Sequence, residues 1–239
     1  MSIEVKNLIK SFGKNVVIDN VSFKVENGEI LAIVGFSGSG KSTVLKLISG
    51  LIPKDSGEII TTGDIAMVFQ YSALIDSLNV YDNISFALHE RKDLRKKYTE
   101  SDIKEIVKEK LGLVGLMGIE RKFPSELSGG MQKRVSFARA IVTEPEIILY
   151  DEPTAGLDPM SSTLIEDYIV RLKKETNAAS IVVTHQMSTI TRTADKVLML
   201  YGGKCVFFGT PDELCRQETP YTKQFVSASL EGPMKMLKG

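Results

Sequence analysis

The chain has 239 residues, of which 43% are hydrophobic and 25% are charged, and its formal net charge is zero. This length and composition suit one large globular domain, or one domain with an inserted subdomain. The balanced charge gives no support to nucleic-acid binding, for which a basic excess is usual. Two cysteines do not make a disulfide framework, so a reducing compartment is expected.

The N-terminal stretch MSIEVKNLIK lacks the basic and then apolar pattern of a signal peptide. The longest apolar runs, such as ILAIV and EIILY, have the length of strands, whereas a membrane helix needs about 20 apolar residues. We therefore expect no membrane-spanning helix, and any work at a membrane would go through a partner.

The first 75 residues predict strands around a glycine-rich loop. Apolar and polar residues alternate over 21–25, as in a half-buried strand. ILAIV at 30–34 is a continuous apolar run, typical of a parallel strand buried on both faces. The loop GFSGSGKST at 35–43 is followed by a predicted helix, and DIAMVFQ at 64–70 predicts a further strand.

Residues 76–143 predict a helical insertion into this α/β core. Thr99 is the expected N-cap of a helix whose apolar stripe includes Ile103, Val107 and Leu111. A second helix is expected to begin at Ser128. The basic run RKDLRKK between them is interpreted as a solvated helical surface or connector, with contact to anionic lipid headgroups as the alternative.

The core is expected to resume over 144–226 and to end in a tail at 227–239. The predicted elements of this part are strands over 147–150 and 180–184, a helix from Asp158-Pro159 to about Lys174, a Gly-Gly hairpin in KVLMLYGGKCVFFG, and a last helix opened by the capping box Thr210-Pro-Asp-Glu213. The tail has no clear periodicity; binding to a partner subunit and disorder are both open for it.

The loop GFSGSGKS fits the phosphate-loop pattern G-x-x-x-x-G-K-[ST] at Gly35, Gly40, Lys41 and Ser42. Its glycines let backbone N–H groups curl round phosphates, while Lys41 neutralises the β and γ phosphates and Ser42 reaches Mg²⁺. A strand before the loop and a helix after it favour this interpretation over a chance glycine-rich turn.

Three more strand ends carry polar side chains. In IILYDEP, Asp151 and Glu152 follow the apolar residues of a buried strand. Asp151 is expected to support Mg²⁺, and Glu152 is expected to act as the general base on the attacking water. Gln70 follows DIAMVF and His185 follows IVVT, so both would lie at the same sheet edge. Gln70 would touch Mg²⁺ and the water, and His185 would contact the γ-phosphate.

The stretch LSGGMQKR at 127–134 places Ser128, Gly129 and Gly130 at a second helix start suited to an anion. No second lysine of a complete phosphate loop accompanies it. Together with the phosphate loop, Gln70, the Asp151-Glu152 strand, AGLD at 155–158 and His185, this signature resembles the ATP-binding subunit of ABC transporters over nearly the whole chain.

The resemblance implies an α/β fold: a RecA-like P-loop NTPase core with an antiparallel β portion and an inserted helical subdomain. It also implies that Phe12 stacks on adenine, where the family often has tyrosine, and that two subunits pack head to tail, each signature closing over the ATP of the other. The residues then expected to contact ATP are Phe12, Gly35, Ser37, Gly38, Ser39, Gly40, Lys41, Ser42, Thr43, Ser128, Gly129, Gly130 and Asp158. Those expected at Mg²⁺ are Ser42, Gln70 and Asp151.

FQYSALIDSLNVYDN, PSELSGGMQKRV and QFVSASLEGP are similar to the Mla/Mce-type lipid transport ATPases. This likeness implies a phospholipid transporter and a peripheral position on the cytoplasmic face of the inner membrane. It implies as partners a second copy of the chain, an integral-membrane permease, an Mce-domain lipid-binding protein and a STAS-domain subunit. No nucleic acid is expected.

Three alternatives compete with this interpretation. An importer ATPase for amino acids or another small polar solute would use the same ATP residues and differ in the groove that receives the permease. A soluble ABC ATPase of DNA repair would need a long coiled-coil insertion, and one of the ribosome would need two nucleotide domains. A small-molecule kinase would have no use for LSGGMQ or AGLD.

Overall fold

The computed structural model describes residues 3–235, so the last four residues of the predicted tail lie outside the described part. The strands are β1 (Ile3–Phe12), β2 (Asn15–Val25), β3 (Ile30–Val34), β4 (Ser56–Thr61), β5 (Ile65–Val68), β6 (Ile147–Asp151), β7 (Ala179–Val183), β8 (Lys196–Tyr201) and β9 (Lys204–Gly209). The helices are α1 (Lys41–Ile48), α2 (Val80–Glu90), α3 (Lys92–Lys97), α4 (Glu100–Leu113), α5 (Gly129–Ile141), α6 (Pro159–Thr176), α7 (Met187–Thr193), α8 (Pro211–Cys215) and α9 (Pro220–Val226), with a 3₁₀ turn at Pro124–Glu126. Within 3–235, none of these helices has the length and apolar character needed to cross a bilayer.

A six-stranded sheet in the order β5-β6-β7-β3-β8-β9 forms the centre of the fold. Its first five strands are parallel, and β9 pairs antiparallel with β8. Every residue of β3, β6 and β7 is buried, as the continuous apolar runs predict. Side chains alternate between the faces: Leu149 packs on one side of the sheet, and Ile148 and Tyr150 pack on the other.

A second, antiparallel sheet in the order β2-β1-β4 covers one face of the central sheet. Its buried residues, among them Ile3, Leu8 and Val21, share a hydrophobic cluster with Leu45 of α1 and Leu149 of β6. The predicted RecA-like core with an antiparallel β portion is therefore confirmed as the fold class.

Helices α2 to α5 follow β5 and precede β6, and they pack on the opposite face of the central sheet. Thr99 caps α4 through a capping box with Asp102, and Ile103, Val107 and Leu111 form the buried stripe. The sequence did not predict α2 as a separate helix, although the Asn79 side chain caps it. The basic run forms the short helix α3, which has no buried residue. The boundaries 1–75, 76–143, 144–226 and 227–239 stay predictions.

The C-terminal part needs one correction. The predicted hairpin β8-β9 turns through Gly202 and Gly203, whose φ angles of 57° and 78° suit glycine. The predicted last helix is two short helices, because α8 ends at Cys215 and Thr219 opens α9 with a second capping box. The residues after α9 form no helix or strand as far as residue 235.

Candidate active site

Four neighbouring parallel strands deliver the predicted site residues to one edge of the sheet. Gln70 follows β5, Glu152 follows β6, His185 follows β7, and the phosphate loop follows β3. These strands are consecutive in the sheet, in the order β5-β6-β7-β3. Because parallel strands end at the same edge, residues far apart in the sequence meet in one place.

The phosphate loop needs its glycines for steric reasons. A Cβ atom on Gly35 would lie 2.4 Å from the carbonyl oxygen of Leu200, and one on Gly40 would lie 2.9 Å from that of Val17. Gly40 has φ 100° and immediately precedes α1 as its N-cap. The backbone N–H groups at the start of α1 therefore face the loop, which suits an anion.

The Lys41 side chain is buried inside this loop, with 8% exposure. Its Nζ donates to the carbonyl oxygens of Gly35 at 2.9 Å and Phe36 at 3.1 Å. Burial lowers the pKa of Lys41, and the nearby carboxylates of Glu152 and Asp151 offset part of that change. The ammonium group is thus held at the loop where phosphates would bind.

Ser42 and Asp151 form a pair at the bottom of the site. The Ser42 hydroxyl donates to Oδ1 of Asp151 at 2.8 Å, and Asp151 is 8% exposed. A serine hydroxyl and one carboxylate are the protein ligands that Mg²⁺ takes beside nucleotide phosphates in P-loop NTPases, so the two residues fit that ion.

Glu152 and His185 form the second pair. Nδ1 of His185 lies 2.9 Å from Oε1 of Glu152. The other carboxylate oxygen, Oε2, is buried and has no hydrogen-bond partner among residues 3–235. Glu152 also has φ 47°, a conformation that costs a non-glycine residue energy and recurs at active sites. A carboxylate on a strained backbone, with one buried oxygen that can still accept, suits a base that receives a proton from water.

One cavity of about 640 Å³ contains most of the predicted ATP site. Its predicted members are Gly35, Ser37, Gly38, Gly40, Lys41, Ser42, Thr43, Gln70, Glu152 and His185. Ser39 lines an adjacent cavity instead, and its buried hydroxyl has no partner in the structure.

Phe12 is separate from that cavity. Its side chain is 52% exposed at the end of β1, and the Nζ of Lys10 lies 5.3 Å from the centre of its ring. Val17 of β2 lines the cavity, whereas Phe12 does not. The structure therefore leaves the adenine contact of Phe12 as a prediction.

The signature residues line a different cavity, of about 300 Å³. Ser128, Gly129 and Gly130 lie there with Asp158, apart from the phosphate loop. The Ser128 side chain caps α5 by accepting from the N–H of Met131 at 3.3 Å. Asp158 caps α6 by accepting from two backbone N–H groups at 3.0 Å.

Two features of the site were missed from the sequence. Lys133 of the signature helix donates to the carbonyl oxygens of Pro153, at 3.3 Å, and Ala155, and so ties α5 to the segment after Glu152. Residues 228–230 line the ATP cavity beside Phe225. Thr219-Pro220 is a helix-start signal that could have placed α9, but no sequence pattern gives the Lys133 contact.

A parallel sheet covered on both faces, a phosphate loop whose Ser42 is bonded to Asp151, and a second carboxylate at the same strand end are the features of a P-loop ATPase. The family model described as ABC transporter matches residues 18–155. The chain belongs to the ABC transporter family and is an ATPase of that family.

Several relatives match almost the whole chain. Protein TRIGALACTOSYLDIACYLGLYCEROL 3 of Arabidopsis thaliana is 43% identical, covering 98% of this chain and 75% of the relative. The intermembrane phospholipid transport system ATP-binding protein MlaF of Haemophilus influenzae is 37% identical, covering 98% and 93%. The probable ribonucleotide transport ATP-binding protein mkl of Mycobacterium tuberculosis is 39% identical, covering 99% and 69%.

Among solved structures, the chain is similar to a dimer of the ATP-binding cassette MJ0796 in a post-hydrolysis state, bound to ADP and phosphate. That match has a TM-score of 0.78 at 28% identity, and it covers 87% of this chain and 98% of the other.

Proposed function

We propose that the chain is the ATP-hydrolysing subunit of a phospholipid transporter that works between two membranes. The observation that carries this proposal is the match to MlaF, which is named for intermembrane phospholipid transport and is covered over 93% of its length. The Arabidopsis relative, which also has a lipid in its name, is similar over 98% of this chain.

In the proposed mechanism Lys41 holds the β and γ phosphates. Ser42, Asp151 and Gln70 would hold Mg²⁺, and the ion would supply positive charge beside the phosphates. Glu152 takes a proton from the water that attacks the γ-phosphorus. The bond from that phosphorus to the β,γ-bridging oxygen breaks, and ADP and phosphate leave. His185 fixes the Glu152 carboxylate and contacts the γ-phosphate.

The second copy of the chain completes the site in this proposal. Ser128, Gly129 and Gly130 line a cavity that shares no residue with the ATP cavity. Head-to-tail packing would bring them onto the other copy's ATP, and Phe12 would stack on the adenine. The dimeric state described for the ATP-binding cassette MJ0796 supports this arrangement.

The proposed location is the cytoplasmic face of the inner membrane, reached through a permease. An Mce-domain lipid-binding protein and a STAS-domain subunit are the further proposed partners. Exposed Phe69, Tyr71 and Ile75, in the segment after β5, offer apolar contacts for the permease.

A small-solute importer is the second candidate. Relatives named for ribonucleotide transport and for sulfate/thiosulfate import are 39% and 37% identical to this chain. These proteins would need the same ATP residues, so the ATP site does not distinguish the two functions.

The test is affinity purification from native membranes in mild detergent, with mass spectrometry of the proteins and lipids recovered. We expect a permease, an Mce-domain protein and bound phospholipid, and ATPase activity that rises when phospholipid is added to the complex. The Lys41→Ala variant is the matched control, since it should assemble equally but hydrolyse no ATP. Recovery of a solute-binding protein with a different permease would overturn the phospholipid assignment and favour the importer.

A further inference from the structure

Glu166 of α6 is a buried charged residue that neither cavity includes. Its side chain is 1% exposed. Oε1 accepts from the hydroxyls of Thr189 at 2.8 Å and Ser188 at 3.3 Å, and Oε2 forms an ion pair with Nε of Arg192 at 3.0 Å. A carboxylate is kept inside a protein only when it is paired and hydrogen-bonded, and a hydrophobic residue in its place is often no less stable. Stability alone therefore gives little reason for Glu166.

The hydrogen bonds continue from Glu166 to the catalytic segments. Thr189 Oγ1 lies 3.2 Å from Thr154 Oγ1, and Thr154 Oγ1 donates to Oε1 of Gln186 at 3.2 Å. Both threonines are 0% exposed. Thr154 is two residues after Glu152, and Gln186 directly follows His185. The chain of bonds thus reaches both turns that carry the catalytic pair.

The carboxylate sets the direction of these bonds. An ionised carboxylate only accepts, so Thr189 must donate its single proton to Glu166 and accept from Thr154. Thr154 has one proton, which lies between Oγ1 of Thr189 and Oε1 of Gln186, both at 3.2 Å. The result is a relay of side-chain contacts from Gln186 through Thr154 and Thr189 to Glu166, and the carboxylate fixes the direction of its last bond.

We propose that Glu166 is a positioning residue for ATP hydrolysis. Its buried carboxylate orders the relay, and the relay holds the turn of His185 against the turn of Glu152. This inference rests on the proposed roles of Glu152 and His185. Since Asp158, the N-cap of α6, lines the signature cavity, the relay also links the helix at that cavity to the His185 turn.

The first test is Glu166→Gln. This variant keeps the side-chain volume but replaces one accepting carboxylate oxygen with an amide NH₂ group that donates. We expect kcat to fall about tenfold, with the KM for ATP changed less than about twofold, because phosphate binding does not use the relay. Thr189→Val should give the same loss, and Thr189→Ser, which restores the hydroxyl, should recover it. The double variant Glu166→Gln/Thr189→Val should lose no more than either single variant, because both act through one chain of bonds.

The matched control is Asp167→Asn. Asp167 is exposed and pairs with the same Arg192 at 2.8 Å, but it is not in the relay, so kcat should stay within about twofold of wild type. All rates are expressed per bound ATP, so that a variant that is only partly folded does not imitate a loss of kcat. If Glu166→Gln does not fold, the comparison of Thr189→Val with Thr189→Ser tests the positioning role.

Glu152→Gln is measured alongside to separate the two proposals. If it abolishes turnover while Glu166→Gln and Thr189→Val both keep kcat within about twofold, the positioning role alone is overturned. Equal losses from Thr189→Ser and Thr189→Val would also overturn it. If Glu152→Gln turns over at the wild-type rate, the assignment of the base fails, and the positioning role fails with it.

Discussion

Oε1 of Glu152 lies 2.9 Å from Nδ1 of His185, while Oε2 of the same carboxylate is buried without a partner. Oε1 thus contacts the residue expected to hold the carboxylate, and Oε2 is the oxygen that can accept from the attacking water. Glu152→Gln should keep ATP binding, reduce turnover by at least about 10²-fold, and accumulate closed dimer, because the amide does not accept the proton.

This prediction is checked by nucleotide-binding titration, steady-state ATPase activity and size-exclusion chromatography with ATP. Turnover near the wild-type rate would remove Glu152 from the base role. His185→Ala is the companion variant: it leaves the carboxylate in place but frees it to rotate, so a partial rather than complete loss is expected.

The tether from Lys133 to the backbone after Glu152 gives the second prediction. Burial lowers the pKa of Lys133, and the Glu152 carboxylate offsets part of that change. Lys133→Met keeps the aliphatic stem but leaves the Pro153 and Ala155 carbonyls without this donor. We expect ATPase activity about tenfold lower with ATP binding unchanged, since the loosened segment leads into Asp158 and the proposed dimer contact.

Lys108→Met on the exposed face of α4 is the control for the loss of one lysine, and its activity should match wild type. The readouts are ATPase rate and ATP-dependent dimerisation. A Lys133→Met protein that dimerises and hydrolyses ATP normally would show that the tether is only structural.

The central sheet and the ATP cavity were predictable because their signals are local. A glycine-rich loop between a buried strand and a helix has one common structural meaning, and so does a fully apolar strand that ends in Asp151-Glu152. Gln70 and His185 are single residues at strand ends. The sequence could place them only because parallel strands share an edge.

The features that escaped prediction depend on tertiary contacts. Helix α2 carries buried polar residues, Asn83 and Ser85, which interrupt the apolar stripe that identifies a surface helix. The relay of Glu166 joins residues of α6, α7 and the turn after Glu152, and no spacing in the sequence relates them. Phe12 was placed by resemblance; its ring is exposed, and its adenine contact stays a prediction.

The depressed pKa of Lys41 predicts how ATP binding depends on pH. Burial lowers this pKa from its ordinary value of 10.5, and bound phosphates would raise it again by adding negative charge. Between the pKa of Lys41 in the free protein and its pKa in the ATP complex, ATP binding is therefore accompanied by uptake of a proton. The ATP affinity should fall as the pH rises above the pKa of the free protein, by up to about tenfold per pH unit.

A nucleotide-binding titration at alkaline pH checks this, with Lys41→Arg as the control, because an arginine stays protonated and should give a weaker but flat profile. Lys41→Ala should lose ATP affinity at every pH. Wild-type affinity that has not fallen at pH 10.5, the ordinary pKa of a lysine, would contradict the predicted proton uptake.

Asn83 predicts a stability effect away from the ATP site. Its side chain is 0% exposed; Oδ1 accepts from the N–H of Ile75 at 2.8 Å, and Nδ2 lies 2.9–3.0 Å from the carbonyl oxygens of Ile75, Leu78 and Asn79. Asn83→Ala removes the side-chain partners of the Ile75 N–H and the Leu78 carbonyl, while the Ile75 and Asn79 carbonyls keep the N–H groups of Leu78 and Asn83. The change should cost about 3 kcal/mol of unfolding free energy. For a chain of this size that corresponds to a drop of about 6–12 °C in Tm.

Thermal and denaturant unfolding of the isolated subunit measure this effect. Glu105→Gln on the exposed face of α4 is the control and should lie within about 0.5 kcal/mol of wild type. Because the amide fixes the segment 75–79, which precedes α2 and belongs to the proposed permease contact, the variant should also bind the permease more weakly while the ATP affinity is unchanged. A Tm within about 2 °C of wild type would mean that water replaces the amide, and that the segment is held by Asn79 and the apolar contacts of α2 instead.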